Sequence, residues 1–81
     1  MLNCQIHDYV EIACLFRMLV RLNMKDSSSF EGEAQDVVIN DLRQECLLMK
    51  NDDGIHQLVL NEIQSMQALV KNQHFDVVEF E

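Results

Sequence analysis

The feature that most constrains this chain is a change of hydrophobic period at Arg17. Ahead of it, Ile6, Val10, Ala13 and Cys14 recur at spacings of three and four, the repeat of one helical face. Beyond it, "RMLVRLNM" sets Met18, Val20, Leu22 and Met24 against Arg17, Leu19, Arg21 and Asn23, an alternation of period two that only a strand presents to a core. The spacing therefore predicts a short amphipathic helix over about residues 8–16, followed directly by β-structure from about 17 to 80. At the front of the helix stand Asp8 and Glu11, three apart. They fit a capping-box-like arrangement, in which each carboxylate accepts from a backbone N–H of the first turn and the helix dipole favours both charges.

The rest of the chain reads as short strands joined by tight turns. Lys25 to Ser29 is a polar turn, and "FEGEAQDVVI" alternates Phe30, Gly32 and Ala34 against Glu31, Glu33 and Gln35. The small Gly32 and Ala34 predict a strongly bent strand, because a strand glycine marks a bulge or a close backbone approach. Asn40 to Arg43 makes a second turn. The Asp53–Gly54 step between "QECLLMKN" and "IHQLVLNEI" signals a hairpin, with His56, Leu58 and Leu60 sharing one face of its second arm. "SMQALV" and "HFDVVEF" supply two more strands. One helix followed by five or six antiparallel strands favours a small closed or nearly closed barrel, which removes exposed sheet edges.

With 81 residues, 48% of them hydrophobic, the chain suffices for one domain spanning 1–81 and not for two. Its formal charge of -8, from 14 acidic and 6 basic residues, argues against direct nucleic-acid binding, which needs Lys and Arg to displace counterions from phosphate. A basic protein partner suits it better. Three cysteines, Cys4, Cys14 and Cys46, without a CxxC pair or a leader sequence, point to a reducing cytoplasm. No run approaches the roughly 20 apolar residues of a membrane span.

Candidate chemistries fare poorly on the residues themselves. A nucleophilic pair would join Cys4 or Cys14 to His7, His56 or His74, yet Cys14 and Cys46 fall on apolar faces, where a thiol is usually a small buried hydrophobe. Cys4 and His7 form only one loose pair for zinc, and Asp52–Asp53 lacks the alternating oxygen ligands of a calcium loop. No catalytic residue, metal or cofactor is expected. Phe16, Phe30, Phe75 and Phe80 are scattered among acids and are expected in the core, not on a base-stacking face.

The stretches "LNC" (Leu2 to Cys4), Asp8, "EIAC" (Glu11 to Cys14), "LNMKD" (Leu22 to Asp26), "GEAQDVV" (Gly32 to Val38) and "LVLNEI" (Leu58 to Ile63) resemble the Rho-binding antiterminator family, Rof or YaeO. The resemblance implies a mainly β, α+β fold, an Sm-like barrel behind an N-terminal helix. It implies a non-catalytic cytoplasmic inhibitor of Rho-dependent transcription termination, monomeric when free, that docks its helix region on the primary, OB-like RNA site of Rho and keeps RNA out. By position it implies that Asp8 and Glu11 face basic groups of Rho, with His7, Tyr9, Asn3 and Cys4 beside them. The chain departs from the pattern in two places. The family aromatic stands where this chain has His7, with Tyr9 in place of a small polar residue, and the Ile39–Arg43 turn is one residue longer and less basic. The alternative for the same fold is an Sm-like RNA chaperone, which would need a basic face.

Overall fold

The computed structural model describes the backbone of residues 4–80 and the side chains of residues 7–80. Helix α1 (Cys4–Leu15) is followed by strands β1 (Leu19–Met24), β2 (Ser29–Ile39), β3 (Glu45–Asn51), β4 (Gly54–Val59), β5 (Ile63–Ala68) and β6 (Val77–Glu79), with a 3-10 turn at Leu60–Glu62. The six strands form one antiparallel sheet in the order β4-β3-β2-β1-β5-β6.

The helix begins earlier than its acidic residues suggest. With helical backbone from Cys4 onward and no acidic residue in the first turn, Asp8 lies inside α1, so its carboxylate is not the cap. The capping and dipole roles expected of Asp8 and Glu11 are therefore corrected. Neither Pro nor Gly interrupts Cys4 to His7, and contacts of His7 with the sheet hold that turn in place. The apolar face is as expected, with Val10 and Ala13 fully buried and Cys14 packed on the core from a half-buried position.

The end of α1 explains the abrupt change of period. Met18 N–H donates to the Ala13 carbonyl at 2.9 Å and Arg17 N–H to that of Cys14 at 3.2 Å, the paired bonds of a Schellman stop. Arg17 occupies its left-handed position, with φ of 51°, where glycine is usual. An L-residue there costs about 1 kcal/mol. Arg17→Gly is accordingly expected to stabilise the fold by up to about 1 kcal/mol, read as a rise of several degrees in Tm. A fall in Tm of that size would show that the exposed bond from Arg17 to Gln35 outweighs the backbone strain.

β1 buries Val20, Leu22 and Met24 on alternate positions, as its period requires. At the small residues of β2 the structure has both a close backbone approach and a bulge. The first half of β2 pairs with β1 (Leu19↔Glu33 to Asn23↔Ser29) and the second half with β3 (Glu33↔Lys50 to Ile39↔Glu45), with a bulge between Ala34 and Asp36. Gly32 lies against β3, its absent Cβ only 2.6 Å from the Lys50 carbonyl oxygen.

Two turns differ in detail from the sequence expectation. In the β3–β4 hairpin the two-residue loop is Asp52–Asp53; Asn51 pairs with Gly54, which supplies the positive φ of 119°. The Asp-Gly step thus straddles the loop end and is not its centre. The arm read as "IHQLVLNEI" also breaks, because the chain leaves β4 at one edge and re-enters beside β1, and Leu60–Glu62 makes that crossing. Leu58 and Leu60 are both buried even so.

Of the four phenylalanines, Phe80 is buried, Phe30 and Phe75 pack against the core from half-buried positions, and Phe16 is exposed, stacked on His74 at 5.0 Å between ring centroids. The expectation of a core Phe16 is corrected: it follows the last residue of α1, past the buried face.

Candidate functional site

Beside the buried Val10 and Ala13, two side-chain contacts flank α1. On one side Tyr9 meets Phe75 edge-on, ring centroids 5.7 Å apart. On the other, His7 Nε2 lies 2.6 Å from Glu45 Oε2 at the start of β3, and His7 Nδ1 lies 3.1 Å from Glu11 Oε1 one turn along the helix.

Between α1 and the β2–β3 ladder runs an open groove of about 660 Å³ lined by His7, Glu11, Cys14, Leu15, Arg17, Gln35, Asp36, Val37, Ile39 and Glu45. The β2 bulge contributes Asp36, which is exposed there. Three carboxylates (Glu11, Asp36 and Glu45) thus face one permanent cation, Arg17, whose guanidinium donates to Gln35 Oε1 at 2.6 Å. Leu15 and Ile39 line the same groove while 74% and 68% exposed. Acidic charge beside uncovered aliphatic side chains suits a basic partner that also offers apolar surface.

The residues singled out from sequence are divided by this geometry. Glu11 and His7 line the groove, and Asp8 is exposed on α1 outside that lining. Tyr9 is half-buried against the core, its ring committed to Phe75. Cys4 opens α1, but its side chain lies outside the described residues, as does Asn3 altogether. Asp36, Glu45, Leu15 and Ile39 were not foreseen as site residues. Asp36 carried a signal, since it belongs to the "GEAQDVV" stretch, whereas Glu45 reaches His7 across 38 residues of sequence, which no local pattern encodes.

The groove is not built for thiol chemistry. Burial first, and then the charge of Asp36, pushes the Cys14 thiol up to about 11, the reverse of an activated nucleophile. His7, in the same groove, has both ring nitrogens turned to carboxylates. Its pKa is raised above 6.5, chiefly by the bond to Glu45, against an opposing effect of burial. Because the folded value lies above the unfolded one, the stabilisation is complete below pH 6.5 and is lost as pH rises through the folded value. Thermal stability is therefore expected to decline over that window in the wild type. In His7→Phe, which removes the titrating group, the decline should be flatter; an identical pH profile in both proteins would exclude His7 as its source.

A small Sm-like sheet carrying one docked helix, with an acidic, partly apolar groove between them, has the form of a binding module. The chain belongs to the family described as modulators of Rho-dependent transcription termination, whose model matches residues 1–80. Among solved structures it is similar to YaeO bound to magnesium from Vibrio cholerae O395, at 36% identity over 91% of this chain and 96% of that one, with a TM-score of 0.89. No curated protein sequence matches it significantly. Among the described residues no group of three or more His, Cys, Asp or Glu is placed to hold a metal ion. No helix among them is long and apolar enough to cross a membrane.

Proposed function

We propose that this chain inhibits Rho-dependent termination by seating the α1/β2/β3 groove on the basic primary RNA-binding site of Rho, so that RNA is excluded. The observation that carries this reading is the convergence of Glu11, Asp36 and Glu45 on one groove, beside exposed Leu15 and Ile39. A site that holds single-stranded RNA tracks the phosphates with Lys and Arg. Carboxylates accept bidentate bonds from such guanidinium groups, so the groove presents to Rho the charge that RNA would present. Asp8, exposed on the same helix, extends the negative surface and adds to steering.

The alternative, direct RNA binding as an Sm-like chaperone, has little basic charge to work with, 6 Lys and Arg against 14 Asp and Glu. Arg21 is paired with Glu31, and Arg17 is bonded to Gln35. Rho loaded with a labelled pyrimidine-rich RNA separates the two readings. Displacement of the RNA as this protein is added, weakening as salt rises from about 0.1 M because exposed charges are screened, is the expected result. An RNA shift by this protein without Rho would favour the chaperone, and no displacement at low salt would overturn the proposal.

A further inference from the structure

The groove contains a titratable base of its own, placed between two of its carboxylates. His7 Nε2 is 2.6 Å from Glu45 and Nδ1 is 3.1 Å from Glu11. A neutral imidazole has one donor nitrogen and one acceptor nitrogen, and a carboxylate can only accept. Both contacts are hydrogen bonds together only when the ring is protonated. The charged and titratable groups around it are, on α1 itself, Glu11, Asp8 and Cys14; on β2, Asp36; on β3, Glu45; and on β6, which also packs on the helix, the exposed Glu79. Arg17 lies just past the helix end, its guanidinium held by Gln35. The groups that bear on the ring's titration are the two carboxylates it touches, and both favour the charged form.

We propose that His7 is a built-in competitor for the groove: its imidazolium occupies Glu11 and Glu45 as an arginine of the partner would, and a partner's guanidinium takes those carboxylates with release of the ring proton. This rests on the reading of the groove as the Rho-binding surface. His7 sits between the two carboxylates and holds one oxygen of each, Glu11 Oε1 and Glu45 Oε2, so a guanidinium that takes those oxygens displaces the ring. The proton and the partner then exclude one another. When only the deprotonated form is competent, apparent affinity scales with the fraction of molecules in that form. Affinity therefore rises about tenfold per pH unit while the ring is mostly protonated, and levels off above its pKa.

Binding of the wild type and of His7→Gln to Rho, measured between pH 6 and 8 at constant salt, tests this. Comparison of the two proteins removes whatever titrates on Rho itself. The wild type should bind more tightly as pH rises, while His7→Gln should lack that added slope and bind at pH 6 at least as well as the wild type does. Parallel slopes, or His7→Gln weaker at every pH, would overturn the competition and leave the groove as the Rho site. Absence of wild-type binding at any pH would overturn both readings. Calorimetry on the wild type, which needs no variant to fold, supplies a second measurement: enthalpies in buffers of different ionisation heat should show net proton release on binding at pH 6 that diminishes as pH rises, and zero or uptake at pH 6 would contradict the proposal.

Discussion

Replacing Glu11 and Glu45 together by Gln is expected to weaken binding to Rho by about a hundredfold. Each substitution keeps size and shape and removes one charge from the groove that both residues line. Close charge pairs across protein interfaces have coupling energies of about 1.5 kcal/mol or more, and Glu11 and Glu45 are 62% and 48% exposed, which places them at the weak end of that range. Two such losses come to about 3 kcal/mol, and each 1.4 kcal/mol is tenfold in affinity. Asp8→Asn alone should cost no more than about fivefold, because Asp8 stands outside the groove lining and exposed pairs contribute about 0–1 kcal/mol. Titration of Rho with fluorescently labelled variants at low salt reads both numbers, with circular dichroism to show that α1 stays folded. If Asp8→Asn proved the more damaging, recognition would run along the outer face of the helix and not through the groove.

Gly32→Ala is expected to be among the most destabilising single changes in the sheet, by about 2–3 kcal/mol. A Cβ at this position would stand 2.6 Å from both the Lys50 carbonyl oxygen and Met49 Cγ. Met49 can turn aside at some cost in core packing, but the Lys50 carbonyl is fixed, since Lys50 is laddered to both Glu33 and Ile55. Overpacking a well-filled core costs about 1–3 kcal/mol, and a contact with backbone belongs at the upper end. A domain of this size has only about 5–10 kcal/mol in hand, so the urea midpoint should fall by a large fraction. An unchanged midpoint would mean that β2 and β3 can separate there without loss, and that the close approach does not require Gly32.

The close approach and the bulge of β2 were legible in the sequence because their cause is local: Gly32 and Ala34 alternate with polar residues, and a strand with small inward positions can be crossed closely. The same holds for β1, whose period-two pattern survives folding unchanged. The start of α1 was not legible, since an Asp followed by a Glu three residues later is also what an ordinary exposed helix face can carry. What extends α1 back beyond Asp8 is tertiary, and His7 finds its partner Glu45 in β3. The break at Leu60 is likewise a demand of topology, as β4 and β5 lie far apart in the sheet order. The groove was half visible. Glu11 and His7 could be named from the helix, but Asp36 and Glu45 join them only when the β2 bulge and the β3 start are brought beneath it.

The central claim, that Rho is met by the α1/β2/β3 groove, is tested most directly by amide hydrogen exchange of this protein alone and bound to Rho. Added protection is predicted in α1 and across Gln35–Ile39 and the first residues of β3, with β4 and β6 exchanging as in the free protein. Protection confined to the β4 or β6 edge, with α1 unchanged, would contradict it.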